Sequence, residues 1–432
     1  MIFIEDEPKK TGVAKRGNKK DKKIAGNNKS ETKKEKIEYL EWENVDKITE
    51  TAIYYGFSPL EAPIETKEDI LAVKNFQKNE NLEKTDKHRK NMLLATAEER
   101  AVMTRTYSER FAIGPQQVML ILNGFAGDGK NRKTIEKKVQ LEIMGTSKAI
   151  AEALAIRTSL SALSDYGYKD LMVEVNSIGD KESINRFTRE LTSYYPNNIN
   201  SLSASCRQAM KKDIFSVLEC DDKACSSIIE ESPKSLSCLS DTSRDHFREV
   251  LEYLEKMEIV YKINNCLVGD RHLNCQTVFE IKGRLGENGS VEALAFGTRY
   301  DTLARKFGQK KDVPTLSVKL EFKNNLKSKD LIKKIRKPRL HFTQLGFDAK
   351  YKALNLIEFL RENHIMVHQS LSRDKMGSQL GIAEKMRIPF VIIMGQKEAI
   401  DNTVMIRNLK TRSQRTVSIK ELPEMIKGSE WY

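Results

Sequence analysis

The spacing of apolar positions changes several times along the chain, and each change marks an element. Residues 45–55 carry apolar side chains at helical spacing, then Tyr54-Tyr55-Gly56-Phe57 and the extended segment SPLEAPIE. Across 146–165 (TSKAIAEALAIRTSLSALSD), Ile150, Leu154, Leu160 and Leu163 recur on one helical face, with Thr146 as the expected cap. Residues 171–176 (LMVEVN) predict a short buried strand closed by SIGD. From 180 to about 260 the pattern is mostly helical and polar, and strand signals return at 277–282 and 291–296. Beyond 340, LHFTQL, a helix across 349–363, IMVHQS, a helix across 374–387 and the apolar run 389–395 alternate. That alternation predicts a small α/β domain with a largely parallel sheet.

Outside these periodic stretches lie two strongly basic ones. Residues 8–36 have almost no large apolar side chains, so burial cannot offset the entropy of ordering them, and disorder is expected until about Ile37. Residues 1–36 hold twelve Lys/Arg against six Asp/Glu, which is +6 of the formal net charge of +13. Residues 323–339 (KNNLKSKDLIKKIRKPR) hold eight Lys/Arg and one Asp, the pattern of a linker or exposed helix between domains. Lysines without an accompanying apolar face suit nucleic acid better than a membrane surface.

At 432 residues the chain is too long for one core and predicts two or three domains. No run approaches the ~18 apolar residues needed to span a bilayer, and the start MIFIEDEPKK does not read as a signal peptide. The expected location is the cytoplasm. All six cysteines fall between Cys206 and Cys275 without a CxxC pair, which predicts reduced thiols and no metal site.

One stretch crowds titratable groups between apolar ends: LVGDRHLNCQTVFEI, residues 267–281. Its ends read as a strand entering a core. Cys275 as nucleophile with His272 as base would be its simplest chemistry. Residues three apart on a strand point to opposite faces, which argues against that pairing.

Taken in order, several segments resemble histidyl-tRNA synthetase, a class II aminoacyl-tRNA synthetase. They are YYGFSPLEAPIE, VQLEIMG, VEVNSIGD, SCRQAM with SVLECDDK, HFREVLEYLEKMEIVYKIN, TVFEI, RYDTLA, and IIMGQKE with VMIRNL. The resemblance runs from about residue 45 to the C-terminus. It implies an α+β fold: a class II synthetase-like antiparallel sheet with a helical insertion, here about 182–262, plus a C-terminal α/β anticodon-binding-like domain. It also implies a homodimer. The expected division is a basic tail 1–36, a catalytic-like domain 37–325, a basic linker 326–339 and the anticodon-binding-like domain 340–432.

Such an enzyme meets developing charge on the α-phosphate of ATP with arginines on rigid strands and with magnesium. Those arginines are missing from their expected places. Between Arg110 and Arg132 there is none, and the strand reads Val118-Met119-Leu120-Ile121-Leu122. Arg132, in the loop beyond, is the one candidate left for the second class motif. The third motif, which the family ends Gly-x-Gly-x-Glu-Arg, corresponds to DVPTLSVKLEFKNNLK, with no arginine between Arg305 and Arg336. Lys319 is expected on an exposed lysine face of that strand. Where the family carries Leu-Arg-Pro-Glu-Gly-Thr, Thr96, Ala97 and Arg100 replace Arg, Pro and Thr. Glu98 keeps the acid, on what reads as a surface helix.

The family's histidine-specific strand, Leu-Val-Arg-Gly-Leu-Asp-Tyr-Tyr-Thr-Arg-Thr-Val-Phe-Glu, aligns without a gap on LVGDRHLNCQTVFE. The flanks are kept, and every position from Gly269 to Gln276 differs. In the second histidine box Gly297, Arg299, Tyr300 and Asp301 remain; Arg299 is expected to pair with a carboxylate structurally. The vestigial catalytic candidates are therefore Glu98, Arg132, Arg299, Tyr300 and Asp301.

The expected function is a synthetase-like protein without ligase activity, acting as an RNA-binding or regulatory dimer, with tRNA the foremost RNA. Lys333, Lys334, Arg336, Lys337, Arg339, Lys410, Arg412 and Arg415 are the nucleic-acid candidates. No cofactor is expected. A divergent active histidine–tRNA ligase, using ATP and Mg2+, is the first alternative; a regulatory subunit of histidine biosynthesis is the second.

Overall fold

The computed structural model describes residues 39–80, 93–111, 117–123, 136–220, 222–287, 289–323, 332–370 and 372–428. The chain opens with strand β1 (Tyr39–Val45) and helix α1 (Lys47–Tyr54), whose first turn is capped by Asp46 accepting from Thr49 N at 2.7 Å. Strand β2 (Ser58–Leu60) and helices α2 (Lys67–Asn79) and α3 (Ala97–Arg110) follow. Both helices begin with a reciprocal capping box, Thr66 with Asp69 and Thr96 with Glu99. Next come β3 (Val118–Leu122), β4 (Glu136–Met144), α4 (Ile150–Asp165) and β5 (Tyr168–Gly179).

Helices α5 (Lys181–Asn197), α6 (Ala204–Lys212), α7 (Ser226–Glu231) and α8 (Asp241–Lys256) form the helical insertion, with short 3-10 turns between them. The long outer pair buries Phe187, Leu191 and Tyr195 on α5 and Phe247, Val250 and Leu254 on α8. Their N-termini are joined, because the Ser240 hydroxyl donates to Asp180 at 2.6 Å.

Strands β6 (Tyr261–Ile263), β7 (Cys275–Leu285), β8 (Glu292–Arg299), the short helix α9 (Leu303–Lys306) and β9 (Thr315–Lys323) complete an eight-stranded sheet. Its order is β2-β3-β4-β9-β8-β7-β5-β6, antiparallel except for the two edge pairs. Helix α4 covers one face, burying Ala151, Ala153, Leu154 and Ala155. Gly297 on β8 is required by this packing: a β-carbon there would stand 2.1 Å from the Phe279 ring of β7.

Strand β10 (Ile332–Arg336) pairs antiparallel with β1. The C-terminal unit then runs β11 (Leu340–Gln344), α10 (Phe347–Glu362), β12 (Val367–Gln369), α11 (Met376–Lys385), β13 (Phe390–Met394), α12 (Gln396–Asp401), β14 (Thr403–Asn408), β15 (Gln414–Ser418) and α13 (Leu422–Lys427). Its sheet order is β12-β11-β13-β14-β15. Helix α10 docks on the catalytic-like unit: Arg361 contacts Asp165 at 2.7 Å and Tyr351 donates to Glu252 at 2.7 Å. No described helix is long and apolar enough to cross a membrane.

Four expectations change here. Helix α4 starts at Ile150, and Thr146 instead closes a small turn by accepting from Lys148 N at 3.3 Å. Strand β5 runs twelve residues, because Tyr168 and Lys169 before the expected segment and Ser177 and Gly179 after it also pair with β7. Part of the expected linker or exposed helix is strand β10, since β1 supplies a partner that local sequence does not reveal. The C-terminal sheet is mixed, parallel across β12, β11 and β13 and antiparallel across β14 and β15.

Candidate functional site

Strands β4, β9, β8 and β7 alternate their side chains between two faces. On the face away from α4, Gln140 and Glu142 of β4 stand opposite Lys319 and Ser317 of β9, and Ser317 stands opposite Thr298 of β8. Helix α3 lies above them. All five side chains are buried.

Glu142 is the hub of one half. Its carboxylate accepts from Ser317 Oγ at 2.6 Å, Gln140 Nε2 at 2.5 Å and the Tyr300 hydroxyl at 3.0 Å. Burial pushes its pKa up to about 7 against the pull of these donors. Tyr300 in turn lies beneath Arg100 of α3, whose guanidinium carbon is 4.9 Å from the ring centroid. Arg100 is 1% exposed. It donates to Leu273 O at 2.9 Å, Asn274 Oδ1 at 2.6 Å and Thr298 Oγ1 at 3.1 Å. From β9, Lys319 donates to Glu99, the residue before Arg100, at 2.7 and 3.1 Å.

The opposite face holds a second cluster. Arg299 grips Glu152 of α4 through two bonds of 2.7 Å, and neither side chain is exposed to solvent. It also donates to Thr146 O at 2.9 Å and Asp301 Oδ1 at 3.2 Å, while His246 of α8 lies 2.8 Å from Glu152. Burial alone would raise Glu152; Arg299 and His246 outweigh it and hold the carboxyl at about 2. Arg299 is thus the structural pair expected of it, fastening β8 to α4.

The stretch from Gly269 to Asn274 is a turn; of the two ends expected as strand, Thr277–Ile281 lies in β7 and Leu267-Val268 does not. Asp270 O accepts from Leu273 N at 3.1 Å and Asn274 N at 2.7 Å, and Asp270 Oδ1 accepts from His272 N at 2.9 Å. Strand β7 begins only at Cys275, and Leu267 and Val268 are buried outside any strand. Gly269 has φ +59, and a β-carbon there would lie 2.4 Å from Asn274 Nδ2. The place of the family's arginine is therefore closed by a neighbouring amide. Cys275 accepts from Asp301 N at 3.3 Å, and burial raises its thiol far above the usual range, which denies it the thiolate a nucleophile needs.

Of the vestigial set, Arg299, Tyr300 and Asp301 are brought together at the end of β8. Glu98 is half-buried on α3, while its neighbour Glu99 turns inward to Lys319. Helix α3 is therefore no surface helix, and Lys319 is not on an exposed face. Arg132 lies outside the described residues. Gln140, Glu142, Glu99 and Glu152 escaped the sequence reading; the Thr96-x-x-Glu99 capping pattern was the one local signal that fixes the phase of α3.

Among the basic candidates, Lys410, Arg412 and Arg415 are exposed on the β14–β15 hairpin. Lys337 is half-buried, and Arg339 packs its guanidinium 5.6 Å from the Phe390 ring centroid. The side chains of Lys333, Lys334 and Arg336 lie outside the described residues.

Comparison with known proteins agrees with this architecture. Residues 344–429 match the anticodon binding domain family. The chain is 29% identical over 399 residues to a histidine–tRNA ligase from Fervidobacterium nodosum, spanning 88% of this chain and 93% of the relative. It is 28% identical over 289 residues to the histidine–tRNA ligase of Halothermothrix orenii, covering 66% and 68% of the two. The apo histidyl-tRNA synthetase of S. aureus aligns with a TM-score of 0.46 at 18% identity, over 88% and 93% of the chains. With a C-terminal anticodon-binding domain and a likeness that runs collinearly through the large antiparallel sheet, this chain is similar to the histidine–tRNA ligases over most of its length and carries a class II synthetase-like fold.

Proposed function

We propose that the chain does not ligate histidine to tRNA and serves instead as an RNA-binding, dimeric relative of the ligases. The observation that carries this is Arg100: both terminal nitrogens of its buried guanidinium are engaged, Nη1 by Leu273 O and Asn274 and Nη2 by Thr298, inside the face where a substrate would be held. Lys319 and Glu99 neutralise each other beside it, and Glu142 is saturated by Ser317, Gln140 and Tyr300. A site that recognises a polar substrate loses orders of magnitude when its partners are gone. Strand β3, apolar and buried throughout, offers no fixed cation to an α-phosphate.

RNA binding rests on the anticodon-binding domain and the exposed cations Lys410, Arg412 and Arg415, which would follow a phosphate backbone. Dimerisation rests on the likeness to the ligases and on exposed apolar residues, Ile64 near the end of YYGFSPLEAPIE at 79% and Leu71 on α2 at 57%. The collinear likeness to active ligases favours one alternative, a divergent but functional histidine–tRNA ligase. Thermal unfolding with and without histidine separates the two. No shift supports the proposal, and a concentration-dependent rise in Tm supports a surviving histidine site.

A further inference from the structure

Cys206 on α6, Cys220 after the 3-10 turn Ile214–Val217, and Cys225 at the end of the 3-10 turn Lys223–Cys225 come from separate segments of the insertion. Their three sulfur atoms all lie within 4.8 Å of one another, and Cys206 Sγ is 3.5 Å from Cys225 Sγ. Thiolates held tetrahedrally at ~2.3 Å from zinc sit about 3.8 Å apart, so the three are near the spacing such an ion imposes. Two backbone amides already point at them: Ser203 N donates to Cys225 Sγ at 3.3 Å and Asp222 N to Cys220 Sγ at 3.4 Å. Amides so placed would orient and stabilise sulfur ligands.

The spacing Cys206-x13-Cys220-x4-Cys225 matches no regular ligand pattern, which is why the sequence predicts no metal. Folding brings the three together all the same. We propose that Cys206, Cys220 and Cys225 form a three-thiolate zinc site that ties together the loops between α6 and α7. Each thiol gives up its proton to solvent as it coordinates, and the ion cross-links a region whose longest helix, α6, has nine residues. Cys206 and Cys225 are buried, and Cys220 is the half-buried member. Beside Cys220 opens a cavity of about 540 Å3, also lined by Lys234, Asn264 and Cys266, so the half-buried ligand of the site faces an open space.

The test uses the full chain. Apo protein is titrated with Co2+ as a spectroscopic stand-in for zinc, and thiol alkylation is followed with and without Zn2+. The expected result is a sulfur-to-cobalt charge-transfer band saturating at one ion per chain, with three of six cysteines protected by zinc. Cys220→Ser, the variant least able to disturb the core, should weaken the band and release zinc, whereas Cys266→Ser should retain both. A folded wild-type chain with no such band and equal alkylation in both conditions would overturn the site. A band unchanged in Cys220→Ser would overturn the ligand assignment.

Discussion

The amide of Asn274 stands where a side chain on residue 269 would begin, 2.4 Å from the position of a β-carbon on Gly269. The same Asn274 accepts from Arg100 at 2.6 Å, so the turn and the filled sheet face are one unit. Restoring the family's arginine at 269 would therefore not restore a site. Gly269→Ala and Gly269→Arg should each lose roughly 1–3 kcal/mol, from the left-handed backbone and the clash together. Urea unfolding checks this, and a Gly269→Arg variant as stable as wild type would show that the turn opens readily.

Arg299 and Glu152 form the buried fastening between β8 and α4. Removing either partner strands a charge, so Arg299→Ala or Glu152→Ala should cost about 3–5 kcal/mol, while a double replacement by apolar residues should cost less than the worse single change. Unfolding free energies of the two singles and the double decide it. Additive losses would mean that the pair does not act as a unit.

His341 and His368 face each other across β11 and β12, ring nitrogens 2.7 Å apart. Burial lowers both, His341 to about 4 and His368 well below its ordinary value. The folded state keeps them neutral while the unfolded chain takes up protons below about 6.5, so stability should fall as pH drops from about 6.5 towards 4. His341→Phe should flatten part of that decline. Glu142, raised to about 7, acts in the opposite direction, favouring the fold as pH falls through 7. Comparing wild type with Glu142→Gln at pH 8 and pH 5 separates the two, with the difference moving towards wild type at pH 5.

RNA affinity should fall steeply with salt, because Lys410, Arg412 and Arg415 offer charge rather than base-reading contacts. Replacing all three with Ala should lower the slope of log K against log salt by about 2–3, and deleting residues 1–36 should weaken binding further. Filter binding across a salt series measures both. An unchanged slope would assign the RNA surface elsewhere.

The helical insertion, strands β7 and β8, and the pairing role of Arg299 were legible in the sequence because periodicity and retained flanks carry them. The filled site was not. Lys319 alternates with Val318 and Leu320 as any half-buried strand would, and only α3 lying above that face turns an apparent solvent side into an interior. Glu98 and Glu99 are adjacent, and helix phase alone decides which is buried. Strand β10 and the three clustered cysteines depend on partners far away in the chain, which composition and spacing do not encode.

Histidine-dependent ATP–pyrophosphate exchange by the purified full chain tests the central claim most directly. The buried pairing of Arg100, Lys319 and Glu142 predicts no exchange above the rate without histidine. Clear histidine-dependent exchange, abolished by Glu142→Gln, would contradict it.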